Sequence, residues 1–196
     1  MRYPKGIKKQ YQNNTSHGNR GMVLEHDIND TNQYYLETKK AVIHKKPTPI
    51  TITKVHYPSR LEAVIKEAYF KTPSTTDYNG VYKNRYIDFE AKETKNDKYF
   101  PIANIHIHQI NHLKNIIECG GIGFIIVRFT NHNETYLLKG EDLFHFLNTE
   151  TRKSIPIEYF REKGYRIHEK YAPRLDYLKI VDNLYFKGDS KSWKNL

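Results

Sequence analysis

The chain has 196 residues, enough for one domain with a substantial core, and its 32 Lys and Arg against 22 Asp and Glu give a formal net charge of +10. That surplus attracts polyanions through release of phosphate counterions and makes nucleic acid the first partner to consider, although solubility and membrane-surface attraction are served by the same charge. The single cysteine, Cys119, excludes an intrachain disulfide and a cysteine-rich zinc site, and the longest apolar run, Ile122 to Val127, falls far below the roughly 20 residues of a membrane helix.

In chain order, residues 1–17 are rich in Lys, Asn, Gln and Tyr without an apolar period and read as a flexible basic arm. Their polarity leaves no signal-peptide apolar region, so a soluble cytoplasmic protein is expected. From about Asn19 to Leu36, Met22, Leu24, Ile28 and Tyr34-Tyr35-Leu36 recur at helical spacing, with Glu25, Asp27 and Asp30 on other faces. Ala41 to Lys46 is a strand candidate; Pro47 and Pro49 then impose an extended, interrupted connection before Ile50, Ile52 and Val55 resume strand character. Between Pro58 and Tyr69 charged and apolar residues mix without a period that separates helix from strand, and the segment is left open.

Ile105 to Glu118 carries Ile110, Leu113 and Ile117 on one helical stripe, and Gly120-Gly121 suits its end. Ile122 to Phe129 reads as a buried strand, Asn131 to Glu134 as a turn, and Thr135 to Leu138 as the return strand. A short helix around Glu141 to Leu147 and a last helix through Leu175, Leu178, Ile180, Val181 and Leu184 complete the chain, with 188–196 as a polar tail. Helices alternating with strands point to a mixed α/β sheet under helical cover, in one domain over 18–187.

The stretch from Thr75 to Lys92 carries the chemistry. Asn79-Gly80 is the stronger turn dipeptide by itself, but a loop at Lys83-Asn84 separates the two faces cleanly. In that register Tyr78, Gly80, Ile87, Phe89 and Ala91 share an apolar face, while Thr75, Asp77, Asn79, Asp88, Glu90 and Lys92 share the other. Asp77 then opposes Glu90 at roughly 5 Å between Cβ atoms, a repulsion that a divalent cation would relieve. Lys92, two residues beyond Glu90, is placed to orient an attacking water or to stabilise the pentavalent phosphate. A solvated strand face with unrelated charges shows the same alternation. Asp88 competes with Asp77 as a ligand, but it lies along the same strand as Glu90, roughly 7 Å away.

His106, His108 and His112 include an i, i+4 pair on the expected helix, yet no zincin motif accompanies them, and ordinary surface or core histidines are the simpler reading. Gln109 matters only if this helix packs near the hairpin. Arg20, Lys45, Lys46, Arg60 and Lys66 are weaker candidates for phosphate contacts, for which a solvated charge run is the default.

Four strings, Asn19-Arg20-Gly21-Met22, Ala41 to Pro49, Val64 to Phe70 and Tyr171 to Tyr177, together with Thr75 to Lys95, resemble the RecU family of Firmicute Holliday junction resolvases over about residues 18 to 186. The resemblance implies a restriction-endonuclease-like core, a homodimer, and Mg²⁺-dependent symmetric nicking of four-way DNA junctions in recombination and repair, with Mn²⁺ as a substitute ion. By matching positions it implies a metal site of Thr75, Asp77, Glu90 and Gln109, with Lys92 as transition-state stabiliser. It further implies a protruding stalk over about 38–69, carrying Lys45, Lys46 and Arg60, and a link to the RecA recombinase that no motif here establishes. Thr76 stands where the wider superfamily often has proline, as it does in RecU proteins. Two other readings compete: a junction-binding or recombinase-modulating protein with secondary cleavage, and a sequence-specific restriction enzyme, for which no base-reading element is evident.

Overall fold

A computed structural model describes residues 22–71 and 75–186, so the expected basic arm, Arg20 and the C-terminal tail lie outside the described residues. The elements run α1 (Met22–Glu37), β1 (Val42–Lys45), β2 (Ile50–His56), β3 (Val64–Phe70), β4 (Tyr78–Tyr82), β5 (Arg85–Thr94), β6 (Tyr99–Pro101), α2 (Ile107–Glu118), β7 (Ile122–Phe129), β8 (Glu134–Lys139), α3 (Gly140–Thr149), β9 (Ser154–Pro156), α4 (Ile157–Lys163), β10 (Tyr165–Ile167) and α5 (Tyr177–Tyr185). One six-stranded sheet, ordered β1-β4-β5-β7-β8-β10, organises the molecule. It is mixed: β5 and β7 pair in parallel across α2, and the remaining neighbours are antiparallel.

Alternation along the central strands distributes the core. Phe124 and Ile126 of β7, with Ile87, Phe89 and Ala91 of β5, pack against Leu24, Ile28 and Tyr35 of α1 and Tyr177, Leu178 and Val181 of α5. Ile125, Val127 and Phe129 point the other way, against Leu113 of α2, Leu143 and Phe146 of α3, and Phe160 of α4. Both faces of β7 are therefore covered, which explains its unbroken apolar run. The mixed α/β class expected from the sequence is the one observed.

Two departures from the sequence reading have clear causes. Asp27, expected on a polar face of α1, is buried, because Arg128 enters the core from β7 and places its guanidinium 2.7 Å from Asp27 and 3.2 Å from Glu169. A buried carboxylate is tolerated when a partner of opposite charge is buried with it. The second concerns the stalk. Val42–Lys45 is the edge strand of the central sheet, paired with β4 from Val42↔Val81 to Lys45↔Tyr78, so the segment free of the core is shorter than 38–69. What projects is the β2-β3 hairpin, joined from Ile50↔Phe70 to His56↔Val64 and exposed at every residue of both strands. Arg60 sits in its end loop and Lys66 on β3, whereas Lys45 and Lys46 belong to the body of the protein.

Candidate active site on the hairpin face

The β4-β5 hairpin turns at Lys83-Asn84, both at positive φ (46° and 61°), as a type I′ turn requires, and its register pairs Tyr82 with Arg85, Gly80 with Ile87 and Tyr78 with Phe89. The Asn79-Gly80 dipeptide lies inside the strand. Gly80 is needed there for a different reason: a Cβ would sit 2.0 Å from the carbonyl oxygen of Val42 and 2.6 Å from the Cα of Ile43, so β1 lies directly over it. On the apolar face Tyr78, Phe89 and Phe124 form a stack of rings with centroids 4.9 and 4.8 Å apart, which fixes the hairpin's tilt on the core.

The opposite face gathers the expected residues. Asp77 lies in the bend just before β4, and its backbone N–H donates to Glu90 Oε2 at 3.1 Å. The Lys92 ammonium forms an ion pair with Glu90 Oε1 and stands 3.8 Å from Asp77 Oδ2. Glu90 is fully buried, while Asp77 and Lys92 are each about a quarter exposed, so the group opens to solvent on the Asp77 side. Burial, and then the negative charge of Asp77, push the Glu90 carboxyl up to about 8 despite Lys92. Burial works against the Lys92 ammonium, but the Glu90 and Asp77 carboxylates outweigh it and hold its pKa above the usual lysine value.

Two facts make this group fit for a divalent cation. Glu90 Oε1 is buried with the Lys92 ammonium as its partner, so that one lysine faces two carboxylates. Two adjacent carboxylates, one buried and one open to solvent, also stabilise an added positive charge. Among the described residues no cluster of three or more His, Cys, Asp and Glu surrounds a metal position, so the carboxylates of this group are Asp77 and Glu90 alone. Thr75 is half-buried two residues before Asp77.

Gln109 is buried, and its Oε1 accepts from the backbone N–H of His106 at 2.9 Å, capping the start of α2. The condition for its relevance is met: one turn later, His112 Nε2 lies 3.2 Å from Asp88 Oδ2, so α2 packs on this face of the hairpin. Because α2 crosses between parallel strands, it runs antiparallel to β5. Stepping back from His112 to Gln109, about 4.5 Å of helix rise, therefore moves the same way as stepping on from Asp88 to Glu90. Gln109 therefore lies on the Glu90 side of His112 along the helix, with its Oε1 engaged by the His106 N–H. The helix closes at Gly120 (φ 85°) with Gly121 N–H bonded to Ile116 O and Gly120 N–H to Ile117 O, a Schellman ending.

Asp88 resolves its competition with Asp77 through its partners. It is fully buried and receives the Lys46 ammonium at 2.7 Å, the Tyr86 hydroxyl at 3.0 Å, the Thr76 hydroxyl and the His112 contact. Lys46, considered as a phosphate contact, spends its charge here. Lys45 pairs with Glu25 at the surface, and Arg60 and Lys66 are exposed on the projecting hairpin, away from the carboxylates. Of the helical histidines, His106 and His108 stack with centroids 5.3 Å apart and only His112 reaches the site. Lys46 and His112 are the residues that the sequence did not assign here. Their partner Asp88 is 42 and 24 positions away, a separation that carries no local signal.

Comparison with known proteins places these features in context. A family described as "Recombination protein U" matches residues 19–183. The chain is similar to the Holliday junction resolvase RecU of Oceanobacillus iheyensis, 56% identical and aligned over 95% of this chain and 100% of that one. It is also similar to the Holliday junction resolvase RecU of Bacillus cytotoxicus, 51% identical over 95% of this chain and 98% of that one. A solved structure of Hjc, a Holliday junction resolvase of Archaeoglobus fulgidus, aligns with 74% of this chain and 95% of that one at 12% identity and a TM-score of 0.44.

Proposed function

The chain belongs to the recombination protein U family, and from that membership we propose that it is a structure-selective endonuclease that resolves Holliday junctions by Mg²⁺-dependent symmetric nicking of phosphodiester bonds, in recombination and repair. The observation that carries this reading is the convergence of Asp77, Glu90 and Lys92 on one hairpin face, buried at Glu90 and open at Asp77. Asp77 and Glu90 hold the cation, with Thr75 and Gln109 completing the set. A bound Mg²⁺ supplies charge for water activation and for the non-bridging oxygens of the scissile phosphate, and Mn²⁺ can replace it.

The protein's own groups do the remainder. Asp77, at the open side, would hold the cation where a phosphate can reach it. The Lys92 ammonium stays protonated between the two carboxylates and is available to the developing charge on phosphorus or to the attacking water. Burial of Glu90 keeps solvent from its carboxylate, which would leave that side of a bound cation to the protein. A four-way junction has two-fold symmetry, so paired nicks call for two equivalent sites, which a closed homodimer provides. The β2-β3 hairpin is the part shaped to enter the junction, and Arg60 and Lys66 are its phosphate contacts. No helix among the described residues is long and apolar enough to cross a membrane, and the cytoplasm is the compartment proposed. By the same resemblance, the RecA recombinase is the protein partner to test.

The reading is tested with a labelled synthetic four-way junction and an equal-length duplex, each incubated with Mg²⁺ or EDTA and resolved on denaturing gels. Paired nicks at symmetric positions in the junction alone, and only with Mg²⁺, are expected. Tight binding without nicks would move the function to a junction-binding role, and equal cutting of the duplex would remove the selectivity for structure.

A further inference from the structure

Asp77 lies outside the sheet ladder, which begins only at Tyr78, so nothing in the strand pairing fixes the bend that presents its carboxylate. Two bonds do so from opposite sides. Its N–H reaches Glu90 Oε2, and its carbonyl oxygen accepts from the backbone N–H of Lys46 at 2.7 Å. The Lys46 side chain grips the same bend again. Its ammonium donates to Thr76 Oγ1 at 3.0 Å and to Asp88 Oδ2 at 2.7 Å, and the Thr76 hydroxyl in turn donates to Asp88 Oδ1. Tyr86 and His112 hold Asp88 from the other sides. Thr76 and Asp88 are buried, and the Lys46 side chain is 17% exposed, too enclosed and too well paired to serve as a phosphate contact.

A buried ion pair is poor evidence of a stabilising role, since its desolvation cost offsets most of its attraction and apolar replacements are often neutral. What such a pair does supply is a defined geometry. We propose that Lys46 is a positioning residue for the cation site: with Asp88, Thr76 and His112 it clamps the Thr75–Asp77 bend against β5 and so sets the distance between the Asp77 and Glu90 carboxylates. The affinity of the site for a divalent cation then depends on a lysine that does not touch the ion. This rests on the reading that Asp77 and Glu90 hold the cation.

The test measures Mn²⁺ binding to the full chain without DNA, by the loss of the free-ion paramagnetic resonance signal on titration. Lys46→Met alone would strand the buried Asp88 charge, so the pair is neutralised together in Lys46→Met with Asp88→Asn. Thr76→Val removes one hydroxyl at nearly constant shape, and Thr76→Ser restores it. The double variant and Thr76→Val are expected to keep the far-ultraviolet dichroism of the native chain and its junction affinity in EDTA. Their Mn²⁺ dissociation constants should rise by about tenfold or more, the usual effect of losing a residue that orients a ligand. Thr76→Ser should return to within a few-fold of the native chain.

Unchanged Mn²⁺ affinity in a folded double variant or in Thr76→Val overturns the role of Lys46. If the double variant does not fold, Thr76→Val decides alone. A native chain that binds no Mn²⁺, or whose binding survives Asp77→Asn, overturns the cation-site reading instead, and the two failures are thereby separated.

Discussion

Glu90 is the group whose protonation the fold changes most consequentially. Its carboxyl has an ordinary pKa of 4.5 and is raised to about 8 by burial and by Asp77, so the folded, cation-free protein holds this proton more tightly than the unfolded chain does. The stability contributed by the raised pKa is fully present below about pH 4.5 and is lost as pH climbs through about 8. Glu90→Gln should therefore remove a downward slope in melting temperature across that window, measured in EDTA; an unchanged slope would show that another group is responsible. Added Mg²⁺ displaces the proton, so its stabilising effect should grow with pH over the same range in the native chain and vanish in the variant. Asp77, Glu90 and Lys92 were legible in the sequence because period-two alternation puts them on one face only if the turn falls at Lys83-Asn84. Lys46 and His112 were not, because pairing with Asp88 is a product of the sheet and of the crossover helix, and neither leaves a trace in local spacing.

Among the elements, the hairpin and its edge strand form one mechanical unit. Gly80→Ala would drive a methyl group into the backbone of Val42 and Ile43 and push β1 away, at a cost of roughly 1–3 kcal/mol in urea unfolding. Because β1 leads into Lys46, the same variant should bind Mn²⁺ more weakly; native stability and Mn²⁺ affinity would show that β1 does not rest on Gly80. The β2-β3 hairpin behaves oppositely. None of its strand residues is buried, so replacing 50–70 by a short Gly-Ser link should shift the melting temperature by only a few degrees and still abolish selective junction cleavage. A large drop in melting temperature would mean that the projection supports the core. Exposure on both faces is also why β3 could not be recognised from its pattern, for no period develops without a buried side. The strands β6, β9 and β10 have three residues each, and α4 has seven, too few to establish a period. By contrast α2 and β7 show clear patterns, one by its stripe and the other by its continuous burial.

For the whole molecule, the formal charge of +10 agrees with a polyanionic partner but does not identify its shape. The structure divides the cations by what they face. Arg60 and Lys66 project on the hairpin, whereas Lys46 is spent on Asp88. Arg60→Ala and Lys66→Ala should each reduce the slope of log affinity against log salt for a junction by about 1, read by gel shift at several salt concentrations. A slope unaffected by either would place the phosphate contacts elsewhere. The mixed sheet and its helical cover were readable from the alternation of elements. The depth at which Arg128 ties α1 to β7 was not, since reading Ile122 to Phe129 as a buried strand names no partner for the arginine inside it. Asp77 at a cation site, rather than on a solvated strand face, is the central claim. The most direct measurement compares single-turnover cleavage of a four-way junction in Mg²⁺ by the native chain and by Asp77→Asn, with junction affinity of both measured in EDTA. Loss of cleavage by at least about a hundredfold, with affinity kept within a few-fold, is the expected result; cleavage by Asp77→Asn at the native rate would contradict the account.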